Sequence, residues 1–426
     1  MVAQLKEPEL HQEPHDILDA GEREDDGMMH AIRAYPAFRM LLMGTLATNT
    51  AFWMYQVAVG WLALEMTDSP LFVGLAGFAG GIPMLLFSLP AGVIIDRYDR
   101  RTVLLLAQFG VMIVSALFAL MVGTDAIAPW SMLVLVAIYG TVMTFIFPVR
   151  TALVPSLVDR KDLAVGVALN SAVQNATRVV GPSVAGILIA AIGVPETFAV
   201  AAVLQSLALL ATWQLPRRAA QAVVARSGSM WQSLTVGFRI VAQSPFLTAL
   251  IVLALAPNVL VMPYINLMPV FARDELGLGS SGLGVLLAAS GLGTVAGSLS
   301  VAHSRALRTG SRAQVVTAVG FALGVLAFAA ITFVPLAVVL LFVAGWMSAA
   351  FLAINQTALQ LYVDDDVRGR VMSVSLLTWG VLPIGQLGVG ALASVIGTAA
   401  AMMVACVAAI VCIALIAWRF PALKER

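Results

Sequence analysis

The chain has only two cysteines in 426 residues, Cys406 and Cys412, and both fall in one apolar run. That excludes a disulfide framework, and the four histidines are too few and too scattered to build a Cys/His metal cluster. Charge is also scarce. Asp, Glu, Lys and Arg make up 11% of the chain, where soluble domains average about a quarter. Lys plus Arg is 24 and Asp plus Glu is 23, so there is no basic excess for a nucleic-acid surface. No Gly-x4-Gly-Lys-Ser/Thr segment occurs, which excludes a nucleotide-driven pump.

What the chain has instead is apolar length. Sixty per cent of its residues are hydrophobic, and a helix needs about 20 such residues to cross about 30 Å of hydrocarbon. On that template the sequence predicts spans over 38–64, 70–95, 102–123, 129–149, 164–192 and 196–215. A second set runs over 246–272, 281–303, 314–334, 335–358, 371–397 and 398–418. The expected fold class is an all-α polytopic membrane protein of twelve transmembrane helices in two six-helix bundles, 36–215 and 246–418. A linker over 216–245 joins them, with Trp231, Leu234, Phe238 and Val241 at helical spacing on one face, as in a surface-lying amphipathic helix. Residues 1–35 carry nine acids against three Lys/Arg and read as a disordered acidic cytoplasmic tail; 419–426 form a short cytoplasmic C-terminal tail.

Orientation follows from the basic residues, because cytoplasmic loops retain Lys and Arg. With both termini inside, 22 of the 24 fall on the cytoplasmic side, Arg97, Arg100, Arg101, Arg150, Arg217, Arg218, Arg305, Arg308, Arg368 and Arg370 among them. Only Arg273 lies outside, and Arg178 falls within a span. The near-zero net charge hides two opposed regions: the first 35 residues carry 3 − 9 = −6 and the rest 21 − 14 = +7.

The halves repeat each other. Asn49 and Tyr55 match Asn258 and Tyr264 at an offset of 209, and Ser171, Gly181, Gly186 and Gly193 match Ser375, Gly385, Gly390 and Gly397 at 204. Two parallel repeats related by an axis along the membrane normal are the pattern of a rocking-bundle transporter.

Between spans two and three stands Gly92-Val-Ile-Ile-Asp96-Arg97-Tyr98-Asp99-Arg100-Arg101. This resembles the signature loop of the major facilitator superfamily, with Asp99 where that family has a second glycine. Further matches are Arg150-Thr-Ala-Leu-Val-Pro155-Ser-Leu-Val, Asn170-Ser, Arg178-Val-Val-Gly181-Pro182-Ser-Val-Ala-Gly186 and Arg368-Gly369-Arg370-Val-Met-Ser373. These resemble the branch of enterobactin-type siderophore exporters and macrolide or drug efflux pumps. The resemblance implies a cytoplasmic gate of Gly92, Asp96, Arg97, Arg100, Arg101 and Arg150, in which Asp96 meets basic residues such as Arg150. The alternative is that these charges are positive-inside anchors. Gly181, Pro182 and Gly186 read either as a helix kink or as small-residue packing. Proton coupling is implied by the resemblance only, since no Asp or Glu occupies the middle of any span.

All six asparagines fall in spans. Buried amides need partners, so Asn49, Gln56, Gln174, Asn175, Asn258, Asn266, Asn355, Gln356 and Gln386, with Tyr55 and Tyr264, form either a substrate cavity or interhelical bonds. Arg178, about 14 residues into span five, is an anion contact or is held by backbone carbonyls. With no Ser/His/Asp or metal-ligand grouping at membrane depth, neither enzyme nor metal nor cofactor is expected. The expected partners are lipid and a small-molecule substrate. The expected function is secondary active export of a small amphipathic compound across the cytoplasmic membrane, an importer or a non-transporting receptor being the alternatives.

Overall fold

The computed structural model describes residues 30–216, 230–304, 311–363 and 365–420, with backbone alone at a few helical positions such as Asp96 and Arg368. The acidic stretch 1–29, Arg217, Arg218, Arg305 and Arg308 lie outside the described residues. Residues 30–34, expected within the disordered tail, form a helical turn in which Ala31 is fully buried. Apolar Ile32 packs there on the bundle core.

Every predicted span is found as helix. Spans one to six are Pro36–Thr67, Pro70–Arg97, Arg100–Gly123, Pro129–Leu157, Leu163–Ile192 and Val194–Trp213. The linker helix is Met230–Gln243. Span seven runs over Pro245–Glu275, followed by Ser280–His303, Ser311–Ala329, Val334–Leu361, Gly369–Ile396 and Thr398–Arg419. Eleven of these are long and apolar enough to cross a membrane. Span one has the length, 32 residues, but Thr45, Thr48, Asn49, Thr50, Tyr55 and Gln56 dilute its apolar character.

Local chemistry sets the helix starts. Proline stands at the first or second helical position of spans one, two, four, six, seven and ten, where its missing N–H costs nothing. Ser69 and Ser244 accept the amides of Phe72 and Leu247 as N-caps. Gly193 and Gly397, equivalent in the repeat, end spans five and eleven at φ 104° and 86°, backbone that favours glycine. Asp99 caps span three, accepting from the Thr102 amide at 2.8 Å and hydroxyl at 2.6 Å. Its φ of −58° needs no glycine, which explains why the family's second glycine is dispensable in this loop.

Two boundaries shift. Span four continues to Leu157, past the expected end at 149, so Arg150 is not a loop residue but lies inside the helix, 3% exposed. Span nine stops at Ala329 rather than 334, leaving a short turn before Val334. Within the expected linker a helix runs over Met230–Gln243, the side chains of Trp231 and Leu234 lying outside the described residues. Val241 packs with Phe246, Val371 and Val374, whereas Phe238 stays exposed.

The halves share one packing plan. Span two packs on four, three on four and six, and one on five and six; equivalently eight packs on ten, nine on ten and twelve, and seven on eleven and twelve. The halves meet along spans five and eight and along spans two and eleven, which exchange under the repeat.

Candidate functional site

Spans one and twelve respectively begin and end at one face of the molecule, the terminal face; the opposite face is where the halves close. Gly186 of span five abuts span eight so tightly that a Cβ there would stand 2.6 Å from Gly284 Cα and 2.7 Å from the Ser280 carbonyl. Its repeat equivalent Gly390 abuts span two, a Cβ standing 2.9 Å from Gly74 Cα. Gly284 and Gly74 are themselves related by an offset of 210, so the two seams are one contact used twice. Small residues let such backbones approach. Span five is continuous through Pro182, and Gly181 lies on Trp53 of span one, so this motif serves close packing on both sides of its helix.

Polar bonds strengthen the same closure. Asn266 of span seven donates to the Val73 carbonyl of span two at 2.8 Å, and its amide lies with Gln386 Oε1 over Gly77. Arg273 bridges to Asp68 at 2.8 Å and donates to the Leu64 carbonyl at 3.4 Å, tying span seven to the end of span one. The sequence reading missed this pair; its signal was the lone outer arginine. Nearer mid-membrane, the close approaches between halves run down to Gly380 against Leu85 and Gly291 against the Arg178 carbonyl.

Two recesses lie among the spans, the first within the second bundle. A cleft of about 410 Å³ is lined by Asn258, Met262, Phe351, Asn355, Gln356 and Trp379. Its floor owes its shape to span seven, where Pro257–Val261 takes wide π-helical turns between Pro257 and Pro263, irregular backbone of the kind tolerated at membrane depth where it lines a cavity. Asn258 donates to the Thr378 carbonyl at 3.3 Å and Asn355 to the Leu250 carbonyl at 3.0 Å. Both amides therefore bind neighbouring helices while lining the cleft, and Gln356 lines it with no hydrogen bond among the described residues. A second recess of about 280 Å³, lined by Gln56, Gly77 and Asn266, sits under the seam of spans one, two and seven.

On span five, Gln174, Asn175 and Arg178 share one face at i, i+1 and i+4. Arg178 is exposed, with no hydrogen bond or ion pair among the described residues, although its backbone sits at the crossing with span eight.

Other expected cavity residues lie elsewhere. Tyr55 is 1% exposed and stacks on Tyr139 at 3.6 Å, edge-on to Phe118. Tyr264, also 1% exposed, shares a hydrogen bond with Ser290 at 2.7 Å and lies edge-on to Phe321. These repeat-related tyrosines face inward on their own bundles, against spans three and nine, and so belong to the cores rather than the cleft. Asn49 is 3% exposed with its Oδ1 unpartnered.

Of the residues expected at a gate, Arg100 donates to the Ala152 carbonyl at 3.1 Å and Arg101 to the Trp213 carbonyl at 2.6 Å. They stitch span three to spans four and six within the first bundle. Gly92 is half-buried and Arg97 exposed, while the Asp96 side chain lies outside the described residues. Arg150 donates to Thr48 Oγ1 at 2.6 Å, its Nε and Nη1 having no partner. At the start of span one, Tyr35 reaches Asp159 at 3.0 Å and Asp162 at 2.7 Å, and these carboxylates raise its phenol above the ordinary value. No group of three or more His, Cys, Asp or Glu able to hold a metal occurs among the described residues.

Comparison with known proteins agrees with this architecture. The chain is 23% identical over 353 residues to the staphyloferrin A transporter of Staphylococcus aureus, covering 81% of this chain and 86% of that one. It is 28% identical over 372 residues to the multidrug efflux pump Tap of Mycolicibacterium fortuitum, covering 84% and 89%. It is 27% identical over 350 residues to the enterobactin exporter EntS of Escherichia coli, covering 80% and 81%. Among solved structures, a bacterial homologue of the human lysosomal transporter Spinster, inward-facing and unoccupied, superposes with a TM-score of 0.73 at 15% identity, covering 91% of this chain and 98% of that one. A bacterial homologue of the iron transporter ferroportin, inward-facing, gives 0.69 at 17% identity, covering 92% and 99%. These likenesses give the fold. The transmembrane secretion effector model matches residues 30–426, and the chain therefore belongs to that family of major facilitator transporters.

Proposed function

We propose that this transporter exports a small amphipathic organic anion, of siderophore or drug-like type, across the cytoplasmic membrane by alternating access. The observation that carries the reading is Arg178, exposed and unpartnered on the face of span five shared by Gln174 and Asn175. An isolated charge at the bilayer centre costs at least about 2.5 kcal/mol, and a bound anion offsets that cost where no protein carboxylate does. Gln56, Asn258, Asn355 and Gln356 supply amide contacts, with Trp379 as an aromatic wall. The relatives named for siderophore and multidrug export support the substrate class.

Both termini are cytoplasmic in this reading, supported by the 22 basic residues on that side. The bundles 36–215 and 246–418 rock about the site, and the described state, closed at the opposite face, faces inward. Asp96 closes the cytoplasmic gate in the other state; the two unpartnered donors of buried Arg150 suit a gate that is open here. A proton gradient is the driving force that the family resemblance implies.

Energised inside-out vesicles test this. Expression of the chain is expected to make them accumulate 2,3-dihydroxybenzoate, an aromatic anion, several-fold over vesicles lacking it. Accumulation in right-side-out vesicles instead shows an importer, and binding with no accumulation in either orientation shows a receptor.

A further inference from the structure

By the repeat, spans one and seven are equivalent, yet at mid-membrane the two halves differ. Asn49 and Asn258 correspond at the offset of 209. Span one runs as unbroken α-helix over Pro36–Thr67, and Asn49 is closed in with its Oδ1 unpartnered. Span seven instead takes wide π-helical turns over Pro257–Val261, and Asn258 lines the first cleft. That cleft reaches from Trp379 of span eleven to Phe321 of span nine. Thr151-Ala152-Leu153 repeats as Thr357-Ala358-Leu359, which sets Gln356 at the position of Arg150. An amide thus lines the cleft where the first bundle buries a guanidinium.

What the cleft can hold follows from which of its hydrogen-bonding atoms the helices already use. Asn258 Nδ2 donates to the Thr378 carbonyl and Asn355 Nδ2 to the Leu250 carbonyl. An amide side chain has one nitrogen and one oxygen. With both nitrogens committed to helix backbone, the Oδ1 of each residue is the atom left for a guest. Thr378 spends its hydroxyl proton on the Ser375 carbonyl at 2.7 Å, so its Oγ1 is a further acceptor. All three residues are buried, and a buried acceptor left without a donor is costly. Trp379 and Phe351 add ring faces. The described lining carries no Asp, Glu, Lys, Arg or His. Acceptor oxygens repel a carboxylate, and an ammonium would be desolvated beside no counter-charge, a cost that a neutral hydroxyl does not meet.

Resting on the export reading above, we infer that this cleft seats an uncharged, hydroxyl-bearing ring of the substrate. Its hydroxyls donate to Asn258 Oδ1, Asn355 Oδ1 and Thr378 Oγ1, its plane lies against Trp379, and the charged end of the substrate stays outside the cleft. Asn258 and Asn355 are then specificity-determining residues. The bonds that tie span seven to span eleven and span ten to span seven are the same bonds that turn their oxygens toward the guest. Selectivity for a donor is fixed by helix packing.

The test measures binding of radiolabelled 3,4-dihydroxybenzoate to the full chain in detergent at neutral pH, displaced by unlabelled analogues. Benzoate keeps the ring and carboxylate without the hydroxyls, and 3,4-dimethoxybenzoate keeps the oxygens without their protons. Each is expected to compete about tenfold more weakly than 3,4-dihydroxybenzoate, the scale of one unmade buried hydrogen bond. Asn258 and Asn355 also hold helices together, so the variant is Thr378→Val, which removes an acceptor whose own bond stays within one helix. It is expected to weaken 3,4-dihydroxybenzoate several-fold and leave benzoate unchanged. Equal competition by all three analogues overturns the inference and leaves export standing. Equal weakening of benzoate and 3,4-dihydroxybenzoate by Thr378→Val overturns the acceptor role of Thr378. Stronger competition by 2-phenylethylamine than by phenol overturns the neutral hydroxyl in favour of an ammonium. Failure of 3,4-dihydroxybenzoate to bind overturns the inference, and the export reading falls with it only if 2,3-dihydroxybenzoate also fails to accumulate in the inside-out vesicles.

Discussion

Arg273 on span seven and Asp68 at the end of span one lie 2.8 Å apart and join the two halves at the closed face. The contact is built for release. The Asp68 side chain is 78% exposed, and an exposed pair contributes about 0–1 kcal/mol, little enough to break at each turnover. Arg273 also donates to the Leu64 carbonyl, where the C-terminal end of a helix favours a cation. Asp68→Asn is therefore expected to shift the population toward the state open at this face by several-fold at most, without unfolding the chain. Distances between spin labels on spans one and seven check this; an unchanged distribution argues that the pair is incidental.

The glycine seam should be less forgiving. Gly390→Val puts a branched side chain where the first carbon already meets Gly74 Cα at 2.9 Å and the Pro70 carbonyl at 3.0 Å. Overpacking of this kind costs about 1–3 kcal/mol, charged here against the closed state. A cysteine placed at Ser280, now 7% exposed, should react with an impermeant maleimide about tenfold faster in that background. Equal reactivity would mean the seam has slack.

Arg150 offers a test in the opposite direction. Its guanidinium is buried with two unpartnered nitrogens, an arrangement that costs about 1–3 kcal/mol for an unmade bond. Arg150→Met is expected to raise the melting temperature in detergent by a few degrees while lowering transport at least tenfold, stability given up for a gate. In a double-mutant cycle with Asp96→Asn the two effects on rate should be non-additive. Additive losses would separate Arg150 from the gate.

Tyr35 should make alkaline stability pH-dependent. Its hydroxyl donates to Asp159 and Asp162, so ionisation removes a donor and sets an anion beside two carboxylates. The folded-state value is raised, so the contribution is full below the unfolded value of about 10 and falls as pH rises through and beyond it. Thermal unfolding of wild type should decline more steeply than that of Tyr35→Phe between pH 9 and 11; parallel curves would remove the contact from the stability account.

Much of this was legible in the chain. Apolar run length gives the spans, because each must satisfy its backbone internally in lipid, and prolines and glycines mark where helices start and stop. The 204-residue offset between Gly186 and Gly390 announced that two positions do the same work. Periodicity alone could not say which neighbour each faces. The same signal that paired Tyr55 with Tyr264 suggested a cavity, and packing against Phe118 and Phe321 put both in cores. Asn258 and Asn355 had two readings, cavity or glue, and each amide serves in both.

What the sequence alone determined is the class of molecule, its repeat and the scarcity of charge that isolates Arg178. Those follow from composition and spacing along one chain. Only the tertiary structure decided that Arg150 is buried in a helix rather than anchoring a loop, that Arg273 reaches Asp68 across more than 200 residues of chain, and that the halves close at one face. Those are relations between helices, set by how side chains of distant segments fit.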